Sequence, residues 1–158
     1  MPSQRITRRI AHDADHMFDL VADIERYPEF VPGCRAIRVL RRAAPAPVSS
    51  LVAEMRIGHR LVTECFTCRV KLDRPALAID VDFIDGPFTE LVNNWRFRRL
   101  SDGACEVDFR IEFALKSRRL GVIVGPLFDH VFLRFVDAFE SRAAALAPAA
   151  FTRRPAPA

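Results

Sequence analysis

Lysine is nearly missing from this chain: Lys71 and Lys116 stand against 22 arginines. A GC-rich genome produces that skew unaided, so it says little about function. A massed basic run is also missing, since the arginine doublets at 8–9, 41–42, 98–99, 118–119 and 153–154 are spread along the chain. With a net charge of +4 and a pI near 9.2, a solvated basic surface is the simplest reading, and a membrane surface or RNA is the kind of anionic partner it would suit. No apolar run approaches the ~18 residues of a membrane span. The longest, LGVIVGPLF at 120–128, is interrupted by Pro126. A soluble or peripheral protein is expected. The opening MPSQRITRRIAH has no apolar core of a secretory leader, which makes a reducing cytoplasm the default compartment.

Catalytic and metal-binding constellations are scarce too. The sole tyrosine and the four histidines are dispersed, and no nucleophile–base pair or paired carboxylates appear. His12 and His16 have i, i+4 spacing in HDADH, but His12 falls before the helix start, which argues against a metal role. CFTC at 65–68 has the spacing of a redox motif. It lies in an alternating strand pattern, with no following helix to lower a thiol pKa and no second pair to complete a zinc site. The four cysteines read as structural.

What is present is phenylalanine. Thirteen occur beside one Trp and one Tyr. Phe supplies apolar surface without a polar handle, so the chain encloses something apolar, be it only its own core. At 158 residues, half of them hydrophobic, it is long enough for one domain with a real core and too short for two.

Along the chain, residues 4–11 read as a strand. Asp13 then caps a helix carrying Met17, Phe18, Leu20, Val21 and Ile24. ERYPEFVPGC (25–34) comes next, where Pro28 should end the helix and Glu29–Pro32 should form one turn. Beyond Gly33 the period changes to two. Strands are expected over 35–42, 51–58, 60–70, 77–84, 89–100 and 105–115, with a turn or bulge at GPF (86–88) and a hairpin at SDG (101–103). From Lys116 to about Ala147 the apolar stripe is helical, with Pro126 expected to kink it. Residues 1–147 then form one domain and 148–158 a disordered tail. The order predicts an α+β fold, a curved antiparallel sheet of six to seven strands wrapped around one long C-terminal helix, with two short helical segments near the N-terminus. Such a sheet leaves a gap at one end of the helix. The aromatic step at Tyr27 and Phe30 would be either a wall of the cavity mouth or a plug for the core.

FDLVADIERYPEFVPGC (18–34), ECFTCRV (64–70), GPFTELVNNWRF (86–97) and FALKSRRLGVIVGPLFDHVFLRFVDAFESRA (113–143) together resemble the coenzyme Q-binding START-like proteins. That family overlaps with the ribosome association toxins and sits in the polyketide cyclase/dehydrase superfamily. The resemblance implies a helix-grip fold around an apolar cavity, and a ubiquinone or related polyprenyl lipid as bound ligand, with no cofactor required. One departure is that relatives often carry Trp where this chain has Gly33, which would widen the mouth.

If so, the ligand would lie between the inward Phe66, Phe83, Trp95 and Phe109 of the sheet and Phe128, Val131, Phe132 and Phe135 of the helix. Each of these could equally be plain core. Glu64 falls on the inward face by alternation with Val62, Phe66 and Cys68, where a carboxylate is costly unless paired, protonated or wet. Glu64, the Trp95 N–H and the Tyr27 hydroxyl are the candidates for meeting a quinone head. Tyr27, Phe30 and Val31 would dip toward an anionic bilayer beside a basic rim of Arg26, Arg35, Arg118 and Arg119. The expected role is to carry or present quinone, at the cytoplasmic face of the inner membrane, to respiratory or biosynthetic proteins, without a catalytic step; cyclase-like chemistry is the alternative in the superfamily. The competing function implied by the resemblance is binding to the large ribosomal subunit. It requires Arg8, Arg9, Arg41, Arg42, Arg98 and Arg99 to converge on one face.

Overall fold

The computed structural model describes residues 3–43, 48–59 and 62–146, the side chains of 59, 62, 120 and 123–131 excepted. Seven strands form one antiparallel sheet: β1 (Ser3–Ile10), β2 (Cys34–Ala43), β3 (Val48–His59), β4 (Val62–Asp73), β5 (Ala78–Asp85), β6 (Phe88–Arg99) and β7 (Cys105–Leu115). Their order is β1-β7-β6-β5-β4-β3-β2, so every neighbour except β1–β7 is also consecutive in sequence. Short hairpins leave an antiparallel meander as the only compact arrangement, and one face of it is apolar. The strands match the periodicity to within a few residues at each boundary.

Helix α1 (Ala14–Ala22) starts where the Asp13 carboxylate accepts the His16 backbone N–H at 2.9 Å. It buries Met17, Phe18, Leu20 and Val21. The next helical turn is not at Glu29–Pro32. A 3₁₀ segment spans Ile24–Glu29 with Pro28 inside it. Proline is tolerated there because so short a segment has few ladder bonds for it to break. Phe30 to Gly33 form the turn after it, closed by the Val31 N–H donating to the Tyr27 carbonyl at 2.8 Å. Gly33 takes φ +81°, and its carbonyl accepts the Gly58 N–H at 2.9 Å. The position therefore works here as a left-handed turn, which glycine enters without the penalty an indole-bearing residue would meet. Helix α2 (Arg118–Leu146) is continuous through Pro126.

The two ends of the sheet differ. The β6 C-terminus, the β7 N-terminus and the β4–β5 turn share one end, where α1 docks through Arg99–Asp15 and Arg74–Asp19 ion pairs. The last turns of α2 reach the same end, with His16 Nε2 3.3 Å from the Ala143 carbonyl oxygen. This is the closed end: Met17, Val21, Ile79, Phe109, Phe139 and Ala143 are almost wholly buried there. Because β7 finishes at the opposite end, α2 begins at that far end. The expected disordered tail, 148–158, lies outside the described residues.

Candidate functional site

The helix-facing side of the sheet is set by strand register. Four rows cross it: Ile79–Trp95–Phe109–Ile6, then Val70–Val81–Asn93–Ile111–Gln4, and on the other flank Ile37–Met55–Phe66 and Ile57–Glu64. Burial varies along them, with Val70 and Phe66 of the other rows buried and Ile6 of the first row partly exposed. In the first row Ile79, Trp95 and Phe109 are buried. Val81, Ile111, Ile37, Met55 and Ile57 face the helix yet remain half-exposed, although all pack against the core. Along β3 the change is within one strand, from fully buried Leu51 and Ala53 to half-buried Met55 and Ile57. The interior is therefore filled at the closed end, and its partly exposed apolar side chains lie between that end and the buried Leu91, Phe88 and Phe113 beyond them.

Two aromatic clusters bound the accessible stretch. Toward the closed end, Phe109 stacks on Phe132 and Phe135 (5.5 Å each), and Trp95 packs against Phe109 at 4.4 Å and Phe139 at 5.0 Å. Toward the far end, Phe88 makes edge contacts with Phe66, Phe83 and Phe113 at 5.4–5.9 Å. The second cluster depends on Gly86. At φ +143° that residue lies so close to β4 that a Cβ there would stand 2.6 Å from the Phe66 Cβ.

The structure thus brings Phe66, Phe83, Trp95, Phe109, Phe132 and Phe135 onto the interior. Phe128 and Val131 have side chains outside the described residues. Glu64 does fall on the inward face. The β3–β4 register is unbroken from Val48 to His59, and Glu64 stands opposite Ile57, half-buried, with no hydrogen bond or ion pair among the described residues.

Three expectations require correction. Tyr27 and Val31 do not project outward; both are buried. Tyr27 donates its hydroxyl hydrogen to the Val21 carbonyl, and Phe30 and Tyr27 each set an edge against Phe139, at 5.1 and 5.2 Å. The Arg142 guanidinium lies 5.1 Å over the Phe30 ring while pairing with Glu29 at 2.8 Å. The aromatic step is a plug that latches the C-terminal half of α2, and burial pushes the Tyr27 phenol above its ordinary range. The Trp95 N–H is also engaged, donating to Asn93 Oδ1 at 3.2 Å. Finally, the six arginines do not converge. β1 and β2 are opposite edges of the sheet, and Arg8, Arg9, Arg42, Arg98 and Arg99 are held by Asp137 with Glu140, Asp102, Glu25, Glu106 and Asp15 respectively.

A different set of cations is left without an ion pair among the described residues: Arg35, Arg41, Arg56, Arg69 and Lys71, on the outer face of β2–β4. Arg35 lies across Gly58, where a side chain would collide with its guanidinium arm. Of the basic rim, Arg26 is paired with Asp23 and Glu29, while Arg35, Arg118 and Arg119 stand at the far end, near the accessible interior.

The CFTC pair is split by the strand: Cys65 is exposed on the outer face and Cys68 buried on the inner one. Burial pushes the Cys34, Cys68 and Cys105 thiols up to about 11, the wrong direction for a nucleophile or metal ligand. One residue escaped the sequence reading. Asn93 sits on the inner face between Leu91 and Trp95, and strict alternation along β6 was the signal that could have found it.

The comparisons with known proteins agree with this architecture. Residues 10–140 match the family described as polyketide cyclase/dehydrase and lipid transport. A ribosome association toxin of Vibrio cholerae is 34% identical over 134 residues, covering 85% of this chain and 90% of the relative. The mitochondrial coenzyme Q-binding protein COQ10 homolog B of Xenopus laevis is 31% identical over 133 residues, 82% of this chain and 52% of the relative. The solution structure of an 18 kDa protein of Caulobacter crescentus is 36% identical with a TM-score of 0.77, over 92% of this chain and 98% of that one. A seven-stranded curved sheet with a C-terminal helix, the fold shared with a START superfamily protein of Mycobacterium smegmatis, together with sequence similarity along nearly its whole length, makes this chain a member of the polyketide cyclase/dehydrase and lipid transport family.

Proposed function

We propose that the chain binds a polyprenyl quinone or a similar elongated lipid against the accessible part of its inner face, and carries or presents it without a catalytic step. The observation that carries this reading is the partial exposure of Ile37, Met55, Ile57, Val81 and Ile111, apolar side chains that face the helix and pack on the core without being fully covered. Burial of an isoprenoid tail against them is worth about 0.8 kcal/mol gross per CH₂-sized group. A few isoprene units would outweigh the cost of ordering a flexible tail. The relative named for coenzyme Q binding supports the ligand class. Arg118, Arg119 and Arg35 at the same end suit approach to an anionic membrane from which such a ligand would be collected.

The test is lipid extraction and mass spectrometry of the protein purified from a ubiquinone-producing cell, with Val81→Phe as the filled-interior comparison. Quinone near one per chain that falls away in the variant supports the proposal. A lipid-free protein that also fails to take up added quinone sinks it.

A second reading, association with the ribosome, is favoured by the relatives named for it and by the cations on the outer face of β2–β4 that make no ion pair among the described residues. It predicts co-sedimentation with ribosomal subunits at low salt that is lost steeply as salt rises. Replacing Arg56 and Arg69 together by Ala should then abolish sedimentation. The two readings use opposite faces of the sheet.

A further inference from the structure

Asn93 is a polar side chain on the floor of the accessible interior. Its row neighbours, Val81 on β5 and Ile111 on β7, are both apolar and half-exposed, and Asn93 shares their exposure. Its amide orientation is settled by its partners. The indole N–H of Trp95 can only donate, so the atom 3.2 Å from it must be the Asn93 oxygen. The nitrogen consequently faces the Arg110 carbonyl, to which it donates at 2.9 Å. Asn93 Nδ2 carries two hydrogens. The second has no acceptor among the described residues.

We infer that this remaining N–H of Asn93 is the hydrogen-bond donor that anchors a carbonyl oxygen of the interior ligand, so that the site selects apolar molecules bearing a carbonyl over plain hydrocarbons. The inference rests on the interior-ligand reading above and names the selecting residue within it. Two bonds already hold the amide, one to a buried indole and one to backbone, so the donor is presented with its rotamer settled and little further entropy to lose. Glu64 is the poorer anchor for such a group: an ionised carboxylate accepts hydrogen bonds and repels a carbonyl oxygen. Asn94, the next residue, points to the outer face and is spent on Asp80 at 2.6 Å.

The experiment crosses two probes with two proteins. The probes are a decyl-substituted dimethoxy-methyl-benzoquinone and decylbenzene, which share a tail and differ in carbonyls. The proteins are the full chain and Asn93→Leu, with affinities measured by displacement of 1-anilinonaphthalene-8-sulfonate. The expected result is a loss of about five- to tenfold in quinone affinity in the variant, the range of one net hydrogen bond, with decylbenzene affinity unchanged or improved. If the unmodified chain binds both probes and the substitution leaves their ratio unaltered, the anchor is wrong and the interior-ligand reading stands. If it binds neither probe, both fall. Should Asn93→Leu fail to fold for want of a partner for Trp95, Asn93→Ala replaces it. The unmodified chain supplies an independent arm: the Asn93 side-chain amide resonances should move with the quinone and stay with decylbenzene, and equal shifts would refute the anchor.

Discussion

Phe139→Ala tests the closed end of the interior most directly. The Phe139 ring is 2% exposed and meets four others, with centroids at 5.0 Å (Trp95), 5.0 Å (Phe135), 5.1 Å (Phe30) and 5.2 Å (Tyr27). Truncation removes its transfer free energy and leaves a cavity whose walls are α2, β6 and the 3₁₀ segment. These are three elements that cannot all move inward at once. A cost at the upper part of the usual Phe→Ala range, about 4 kcal/mol, is expected. That is a large share of the ~5–15 kcal/mol that holds a domain together. With a urea m-value of about 2 kcal/mol/M the midpoint should fall by about 2 M, and the melting temperature by roughly 10 °C. The assay is urea unfolding followed by fluorescence of Trp95, the sole tryptophan, in parallel with circular dichroism. Native emission should also shift to the red as water reaches the indole. The control is Leu133→Ala on an exposed flank of the same helix, 52% exposed, where a change within ~0.5 kcal/mol is expected. A Phe139→Ala cost below about 1 kcal/mol would refute the packing argument, because a ring in contact with four others cannot be removed so cheaply from a closed interior.

Thiol chemistry should divide the cysteines: under native conditions one thiol per chain, Cys65, reacts quickly with a disulfide reagent, and the other three react only on unfolding. Rapid labelling of two or more would contradict the burial. Stability should fall as pH rises from about 8.5 toward 11. The thiols of Cys34, Cys68 and Cys105 hold their protons to about 11 in the fold but lose them near ~8.5 when unfolded. Above ~8.5 the unfolded chain thus binds fewer protons, the stabilisation present below that pH drains away, and the urea midpoint drops. A midpoint constant to pH 10.5 would count against it. Tyr27→Phe leaves the Val21 carbonyl without its buried donor and should cost about 1 kcal/mol in urea unfolding. Gly86→Ala, at φ +143° against Phe66, should cost well over ~2 kcal/mol, whereas Gly103→Ala, at φ +83° with open space around it, should cost only the ~1 kcal/mol of backbone strain. Equal losses at the two glycines would mean that steric approach of the β5–β6 turn to β4 is not what Gly86 serves.

Much of the site's frame was legible from local pattern. Alternation along LVAEMRIG and CEVDFRIEFAL assigned the inward residues of β3 and β7, and the parity of ECFTCRV put Glu64 on the inner face, where the structure has it. The position of Tyr27 was harder. A proline-bracketed aromatic reads the same whether it guards an opening or fills a gap, and only the docking of Phe139 and Arg142 from more than a hundred residues away distinguishes them. Pro28 misplaced the helical turn because a six-residue 3₁₀ segment obeys looser rules than the α-helix used to read it. Asn93 was passed over because only the aromatic residues of the strand at 89–100 were counted toward the interior, whereas the β6 register sets Asn93 facing in and Asn94 out.

Local sequence was enough to settle the strands, the sidedness of each and the order of hairpins. Those depend on backbone period and turn chemistry within a few residues of one another, and a chain this rich in alternating apolar residues has one low-energy way to pleat. Packing in three dimensions was needed to settle which arginines are neutralised and which remain on the outer face of β2–β4. It also settled which end of the interior is filled, and that Asn93 faces inward with one amide N–H that has no acceptor among the described residues. The reason is physical: charge pairing and burial depend on distances between residues far apart in the chain, set by the curvature of the sheet and the line α2 takes across it. Residue periodicity carries no record of either.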